Sequence, residues 1–474
     1  MAKTPAIEVP PPDGGWGLIV AVSAHVMYAL AMGMLRCSGV FYTSWLHEFE
    51  TSALQTATIG SVVGCCSFFG SPLAAVVCGR YGCRFTGILG GMVMVVGLFG
   101  SYWVRTIYQM YAVCAIAGLG IAFVIMAANV VVIQYFKKYF TIANGFVMSG
   151  VGVGMIVQPL LLGMLKDQYG WRGAMLIFAS ITGNICVAAV VFRPLQPGRK
   201  HVEYPQVGES RQSEERPSTS ALLELEGCDN KGRNDTLPSE EEALRAQDSN
   251  EKAPLRCVSK VFSSLGFSLF RRNFRFALFC LIQVQLNISY AAFLVFIVPR
   301  AESIDVGVTS AATLLSIIGF GSLIGRLASG CLINPKLTAE VVFSGSTLTC
   351  FVGVLAAQFG SYGALAASAG LMGLGTGVMK SAHNVLVRDL VGVACYGQGL
   401  GMADIFRGIG DLLGPVIAGR LYDDKRSYAV MFYVIAALFL AIIFQMAVLM
   451  PVLKKLDSAI RQNSKRNTES EHSV

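Results

Sequence analysis

The chain has 474 residues, of which 54% are hydrophobic and only 14% charged, with a formal net charge of +8. A water-soluble domain carries roughly 25% charged residues, so this composition excludes one and describes an integral membrane protein. The surplus of positive charge falls in short loops and the tail, where it sets orientation in the bilayer rather than affinity for nucleic acid.

Residues 1–16 are polar and proline-rich, with no cleavable signal peptide expected, because the apolar run that follows is too long for one. Twelve spanning helices are predicted, at 17–41, 55–79, 85–104, 108–135, 141–165, 171–192, 274–298, 309–333, 339–359, 362–387, 396–421 and 428–452. Each approaches the ~20 residues an α-helix needs to cross the hydrocarbon layer. Six lie in an N-terminal bundle, 17–192, and six in a C-terminal bundle, 274–452, with a tail over 453–474. Arginine and lysine concentrate in alternate loops (Arg80 and Arg84; Lys137 and Lys138; Lys336; Arg388), in the central stretch and in the tail. The positive-inside rule then puts both termini and the central loop in the cytoplasm. The loop over 193–273 is rich in Glu, Ser, Arg, Pro and Gln and is expected to be disordered. Near its end, 257–269 repeats apolar residues at helical spacing between basic ones, the pattern of an amphipathic helix on the inner leaflet.

The thirteen cysteines lie mostly within apolar runs. No Cys-x-x-Cys spacing and no Cys/His cluster occurs, so neither a metal, nor a cofactor, nor a disulfide framework is expected. Small glycine-bearing basic turns follow the second span (Gly79 to Arg84) and the eighth (Gly330 to Lys336). With the layout of six spans, a loop and six spans, this faint repeat points to an all-α major facilitator fold, whose substrate sites lie between two six-helix halves.

Charged residues inside spans are the candidates for function. Arg326 stands near the middle of the eighth span, where a guanidinium facing lipid costs about 2.5–3.5 kcal/mol on insertion scales. A guanidinium on a polar path through the bundle suits a carboxylate, which it can grip with two parallel hydrogen bonds. Lys380 lies in the tenth span beside His383 and Asn384. In the eleventh, Asp404, Arg407 and Asp411 share one helix face, and the four-residue spacing of Arg407 and Asp411 suits an intrahelical pair. Asp404, nearer the end of the span, is the weaker candidate of the three. His25 and His383 read as packing residues, and Asn129, Gln158, Gln283, Asn287 and Tyr290 as links between helices, of which one or two line a cavity.

Several motifs carry a family resemblance. Pro11-Pro12-Asp13-Gly14-Gly15-Trp16-Gly17, Tyr135-Phe136-Lys137-Lys138 running into Asn144-Gly145, Trp171-Arg172-Gly173-Ala174, Arg193-Pro194 and Gly414-Pro415 through Asp423 occur in order. Together they resemble the monocarboxylate transporter family, although Leu18 stands where the first motif usually has tryptophan. The resemblance implies a plasma-membrane carrier working by alternating access on a small organic anion. Lactate and pyruvate carriers of that family use a lysine in the first span and an aspartate–arginine pair in the eighth. Arg36 falls on that lysine and Arg326 on that arginine, while Ser322 replaces the proton-accepting aspartate. The resemblance therefore implies a less characterised branch, with Arg326 and Arg36 as substrate ligands and a proton as co-substrate left open. It also brings a single-span glycoprotein chaperone as a candidate partner.

Two alternatives stay open: a facilitated uniporter of a neutral, zwitterionic or aromatic solute, and a receptor or sensor built on a transporter fold. An enzyme is not expected, since no His-Glu-x-x-His, Gly-x-Ser-x-Gly or phosphate-binding glycine loop occurs.

Overall fold

A computed structural model describes residues 13–36, 38–193, 269–270, 273–425 and 427–455. The expected amphipathic stretch at 257–269 lies outside them except for its last residue. Among the described residues the chain is all helix, with no strand.

The first half holds α1 (Trp16–Arg36), α2 (Ser38–Phe49), α3 (Ala53–Phe69), α4 (Ser71–Tyr81), α5 (Cys83–Gly100), α6 (Ile107–Tyr135), α7 (Phe140–Thr182) and α8 (Asn184–Val190). The second holds α9 (Phe274–Glu302), α10 (Val308–Leu332), α11 (Ala339–Ala356), α12 (Tyr362–Val391), α13 (Tyr396–Lys425) and α14 (Tyr428–Phe444).

Among the described residues, nine helical stretches are long and apolar enough to cross a membrane, and α3 with α4 makes a tenth, bent by 42°. One of the nine, 140–190, contains two passes, because Gly170 at φ 67° and ψ 173° reverses α7 in its middle. The eleventh predicted span, α13, is less apolar than these because it carries Asp404, Arg407 and Asp411, yet it runs thirty residues and packs along α9. Twelve passes result, as the sequence predicts.

Starts of helices follow local chemistry. Ser52 and Thr106 open α3 and α6 with capping boxes closed by Gln55 and Gln109, which satisfy backbone donors that a helix start leaves orphaned. Asn273 and Ser361 cap α9 and α12 with one side-chain acceptor each.

Packing within the halves repeats. Gly150 and Gly154 of α7 lie against the backbone oxygens of His25 and Ala29 in α1, so closely that no Cβ would fit. Gly410 and Gly414 of α13 stand in the same relation to Val284 and Ile288 of α9. Both pairs are four residues apart on both partners, one turn of small-residue contact that lets backbones meet where lipid supplies no hydrophobic drive. The first and fifth passes of one half thus match the seventh and eleventh of the other. The weak repeat seen in the loops is built into the helix contacts.

Three of the sequence motifs meet at one end of the first half. Asp13, at φ 43°, accepts hydrogen bonds on Oδ1 from the backbone N–H groups of Lys137 (2.8 Å), Lys138 (3.0 Å) and Tyr139 (3.4 Å). Trp16 donates from Nε1 to the Val191 carbonyl at 3.1 Å, and Arg193 lies 3.9 Å over its ring. Tyr135 donates to the Arg193 carbonyl at 2.8 Å. A single carboxylate therefore ties the N-terminal motif to the turn before α7. Asp13→Ala is expected to cost about 1–2 kcal/mol, the scale of a lost capping carboxylate. Asp13→Asn keeps one acceptor oxygen and tolerates positive φ, and should cost less than half as much. Melting temperatures of the detergent-purified variants check the order.

Candidate functional site

A cavity lies between the halves, lined from α1, α3, α4, α6 and α7 on one side and α9, α10, α12 and α13 on the other. Among the described residues its charges come from the second half: Arg326 on α10, Lys380 on α12, and Asp404, Arg407 and Asp411 on α13. Among the described residues, three cations against two carboxylates leave one formal positive charge at membrane depth.

Each charge is held by its surroundings. Arg326 is 3% exposed and sits where α10 carries the contact with both neighbours. Gly145 of α7 meets the Arg326 backbone oxygen, and Gly325 and Gly377 let α12 run against α10 from the other side. Lys380 places its ammonium 3.8 Å from the centre of the Tyr290 ring, a cation–π contact that offsets part of its desolvation. Arg407 donates to Asp404 Oδ1 at 2.8 Å and lies 5.4 Å over Phe68 of α3. Asp404, 5% exposed, also accepts on Oδ2 from the Ser71 hydroxyl of α4 at 2.9 Å. One carboxylate thereby touches an arginine on its own helix and a serine in the opposite half. Asp411 faces the cavity without an ion pair or hydrogen bond among the described residues.

Beside the charges runs an amide network that also crosses between halves. Asn384 of α12 donates to Asn129 of α6 at 2.8 Å and to Asn144 of α7 at 2.9 Å, and Tyr28 of α1 donates to the same Asn129 oxygen at 2.7 Å. Asn144 in turn donates to the Ser381 carbonyl at 2.9 Å. Arg388 lies 4.6 Å over the Phe140 ring further along, and Gly397 and Gly401 of α13 press on Ala75 and Pro72 of α4. The halves are closed against each other at the end that carries the basic turns.

The structure brings Arg326 of α10, Lys380 of α12 and the shared face of Asp404, Arg407 and Asp411 on α13 to one cavity. It corrects two expectations. Asp404 is not peripheral: it lies buried at the cavity between both halves. Arg407 pairs with Asp404, three residues before it, rather than with Asp411, because the Ser71 hydroxyl and the arginine together satisfy the deeper carboxylate. Ser322 is buried one turn from Arg326 where α10 crosses α12 at Gly377, and it is absent from the cavity wall. Arg36 ends α1, and its side chain lies outside the described residues.

Of the polar residues in spans, Asn129, Asn287 and Tyr290 line the cavity, while Gln158 donates to the Ala29 and Leu30 carbonyls of α1. His25 is a packing residue, bonded through Nδ1 to the Phe146 carbonyl at 2.9 Å. His383 stacks on Phe279 with ring centres 5.4 Å apart, and neither of its nitrogens has a hydrogen-bond partner among the described residues. Ser71 carries no functional signal in the sequence, since a serine between Gly70 and Pro72 resembles any turn residue. No group of three or more His, Cys, Asp or Glu suited to a metal gathers among the described residues.

Comparison with known proteins places this geometry. Residues 24–339 and 279–471 match the family model described as Major Facilitator Superfamily. The chain is 27% identical over 433 residues to monocarboxylate transporter 6 of Mus musculus, covering 89% of this chain and 84% of that one. It is 28% identical over 446 residues to monocarboxylate transporter 2 of Homo sapiens, covering 93% and 86%. Among solved structures, the human organic anion transporter MFSD10 (TETRAN) superposes with a TM-score of 0.65 at 14% identity, over 92% of this chain and all of that one. A point mutant of the nucleoside transporter NupG gives 0.58 at 12% identity over 91% and 99%. At such identities the two structures speak for the fold.

Proposed function

Because the chain belongs to the Major Facilitator Superfamily and is a membrane transporter rather than an enzyme, we propose that it carries small monocarboxylates across the plasma membrane by alternating access. The observation that carries the reading is the surplus of one positive charge among the described residues of the cavity, the complement of one carboxylate. Relatives named as monocarboxylate transporters over most of the chain support the same substrate class.

In this reading Arg326 is the anion ligand. It is buried on the helix that both halves grip, and Lys380 adds a second positive charge to the cavity. Asp404 and Arg407 form a standing pair that links the charged wall to Ser71 across the cavity.

With serine at position 322, the carboxylate that would pick up a proton beside Arg326 is missing. Transport is therefore expected to proceed by facilitated diffusion of the anion. Uptake of radiolabelled lactate, pyruvate and longer monocarboxylates into proteoliposomes, with and without an inward proton gradient, tests both points. Flux of a monocarboxylate that changes less than about twofold when the gradient is imposed is the expected result. Absence of flux for every monocarboxylate would overturn the substrate class, and a strong dependence on the gradient would overturn the mode.

One observation favours a second reading. A carboxylate at membrane depth is costly to keep without a partner, and Asp411 faces the cavity with no ion pair among the described residues. A zwitterionic substrate would place its cationic group on Asp411 and its carboxylate on Arg326. Competition of the labelled anion by amino-carboxylates, lost in Asp411→Asn, distinguishes the two readings.

A further inference from the structure

The turn between the second and third passes holds two thiols that the transport reading does not use. Cys78 is in the last turn of α4 and Cys83 is the first residue of α5. Gly82, at φ 84°, reverses the chain between them and brings the two side chains abreast, with Cys78 Sγ 3.5 Å from Cys83 Sγ. Cys83 Sγ also lies 3.7 Å from the Gln134 side-chain oxygen of α6. Both cysteines are buried, but the four residues between them, Gly79, Arg80, Tyr81 and Gly82, are all exposed. The pair therefore sits directly beneath a surface turn. The 3.5 Å between the sulfurs leaves about 1.5 Å to close to the ~2.05 Å of a disulfide.

The position of the pair matters more than its chemistry alone. α4 is a short lever. At one end it breaks from α3 by 42° at Gly70, and at the other it ends at the thiols. Along its length it carries Ser71, which holds Asp404, and it bears Pro72 and Ala75 against Gly401 and Gly397 of α13. Whatever fixes the free end of α4 restrains the element by which the first half touches the charged wall of the second.

We infer that Cys78 and Cys83 form a reversible dithiol–disulfide switch that slows transport when oxidised, by pinning the end of α4 to α5. The oxidant is a small disulfide or a peroxide. With glutathione disulfide, one cysteine thiolate attacks the glutathione sulfur and expels glutathione thiolate. The second cysteine thiolate then attacks the mixed disulfide and expels another. Two electrons pass to glutathione disulfide, two protons go to the medium or to the leaving thiolates, and one protein S–S bond forms. A reducing cytosol keeps the pair as dithiol at rest, so the switch responds to oxidative load.

The test uses the full-length protein in proteoliposomes, treated with glutathione disulfide and then with dithiothreitol. Peptide mapping after alkylation should show a Cys78–Cys83 linkage with the loss of two hydrogens, and the maximal rate should fall roughly threefold with little change in KM. Dithiothreitol should restore both. Cys78→Ser and Cys83→Ser should each abolish the linkage and the rate effect. Should either variant fail to fold, phenylarsine oxide on the native chain replaces it, since a trivalent arsenical bridges two adjacent thiols with loss of water and should protect this pair from alkylation. The switch is ruled out if both thiols remain alkylatable after oxidant, or if the rate loss persists in the serine variants. The mapped linkage is scored whether or not a given anion is transported, so the switch and the substrate reading can fail separately.

Discussion

Arg326→Ala is expected to abolish carboxylate transport while leaving the protein folded and at the cell surface. Truncating a buried, hydrogen-bonding charge at a recognition site costs about 2–5 kcal/mol, roughly 30- to 4,000-fold in affinity. Arg326 is 3% exposed and stands between two helices whose close approach depends on glycines, so the backbone contacts on either side of it remain when its side chain is shortened. Arg326→Lys separates charge from geometry. Lysine keeps the positive charge but offers a point donor in place of a planar fork, so uptake should survive with a raised KM. Transport by the alanine variant at the native rate, with equal surface labelling, would make the arginine structural.

The second large effect concerns folding. Asp404 accepts from Arg407 and from Ser71, and is 5% exposed. Removing one partner of a buried pair strands the other, at a cost of about 3–5 kcal/mol. Asp404→Ala should therefore lower detergent stability and surface expression sharply, leaving an uncompensated Arg407 against Phe68. The double variant Asp404→Ala with Arg407→Ala removes both charges and should recover much of the stability without recovering full transport. If the double variant is as unstable as the single one, Asp404 matters through Ser71 rather than through its charge. Melting curves of the four members of the cycle, with Ser71→Ala beside them, decide between these.

Much of the fold was legible because membrane depth leaves few options for a chain. Runs of twenty apolar residues, basic turns at every second loop and glycines four apart all survive in a bare sequence. The break at Gly70 was not legible, since Phe69-Gly70-Ser71-Pro72 reads as one continuous span until the helices are seen to bend. Arg326 was legible for the opposite reason to most residues: a charge that is costly in place announces a role. Its neighbours on α13 were harder. A helical wheel shows that Asp404, Arg407 and Asp411 share a face, but i,i+3 and i,i+4 are equally close on that wheel. The choice was made by Ser71, which lies 333 residues away along the chain. The same distance hid the Asn129–Asn144–Asn384 network, each member of which looks alike in sequence and acquires meaning only where the two halves meet.

The uneven charge of the cavity wall has an electrical consequence. In the proposed reading, a monocarboxylate aboard brings the formal balance of the described charges to zero, so reorientation of the loaded carrier would move no net charge. The empty carrier returns with one positive charge, and a membrane voltage acts on that step by up to about 2.3 kcal/mol per 100 mV if the charge crosses the whole field. An inside-negative cell would then hold back the empty carrier's outward return and favour net efflux, while one-for-one exchange of anions would be indifferent to voltage.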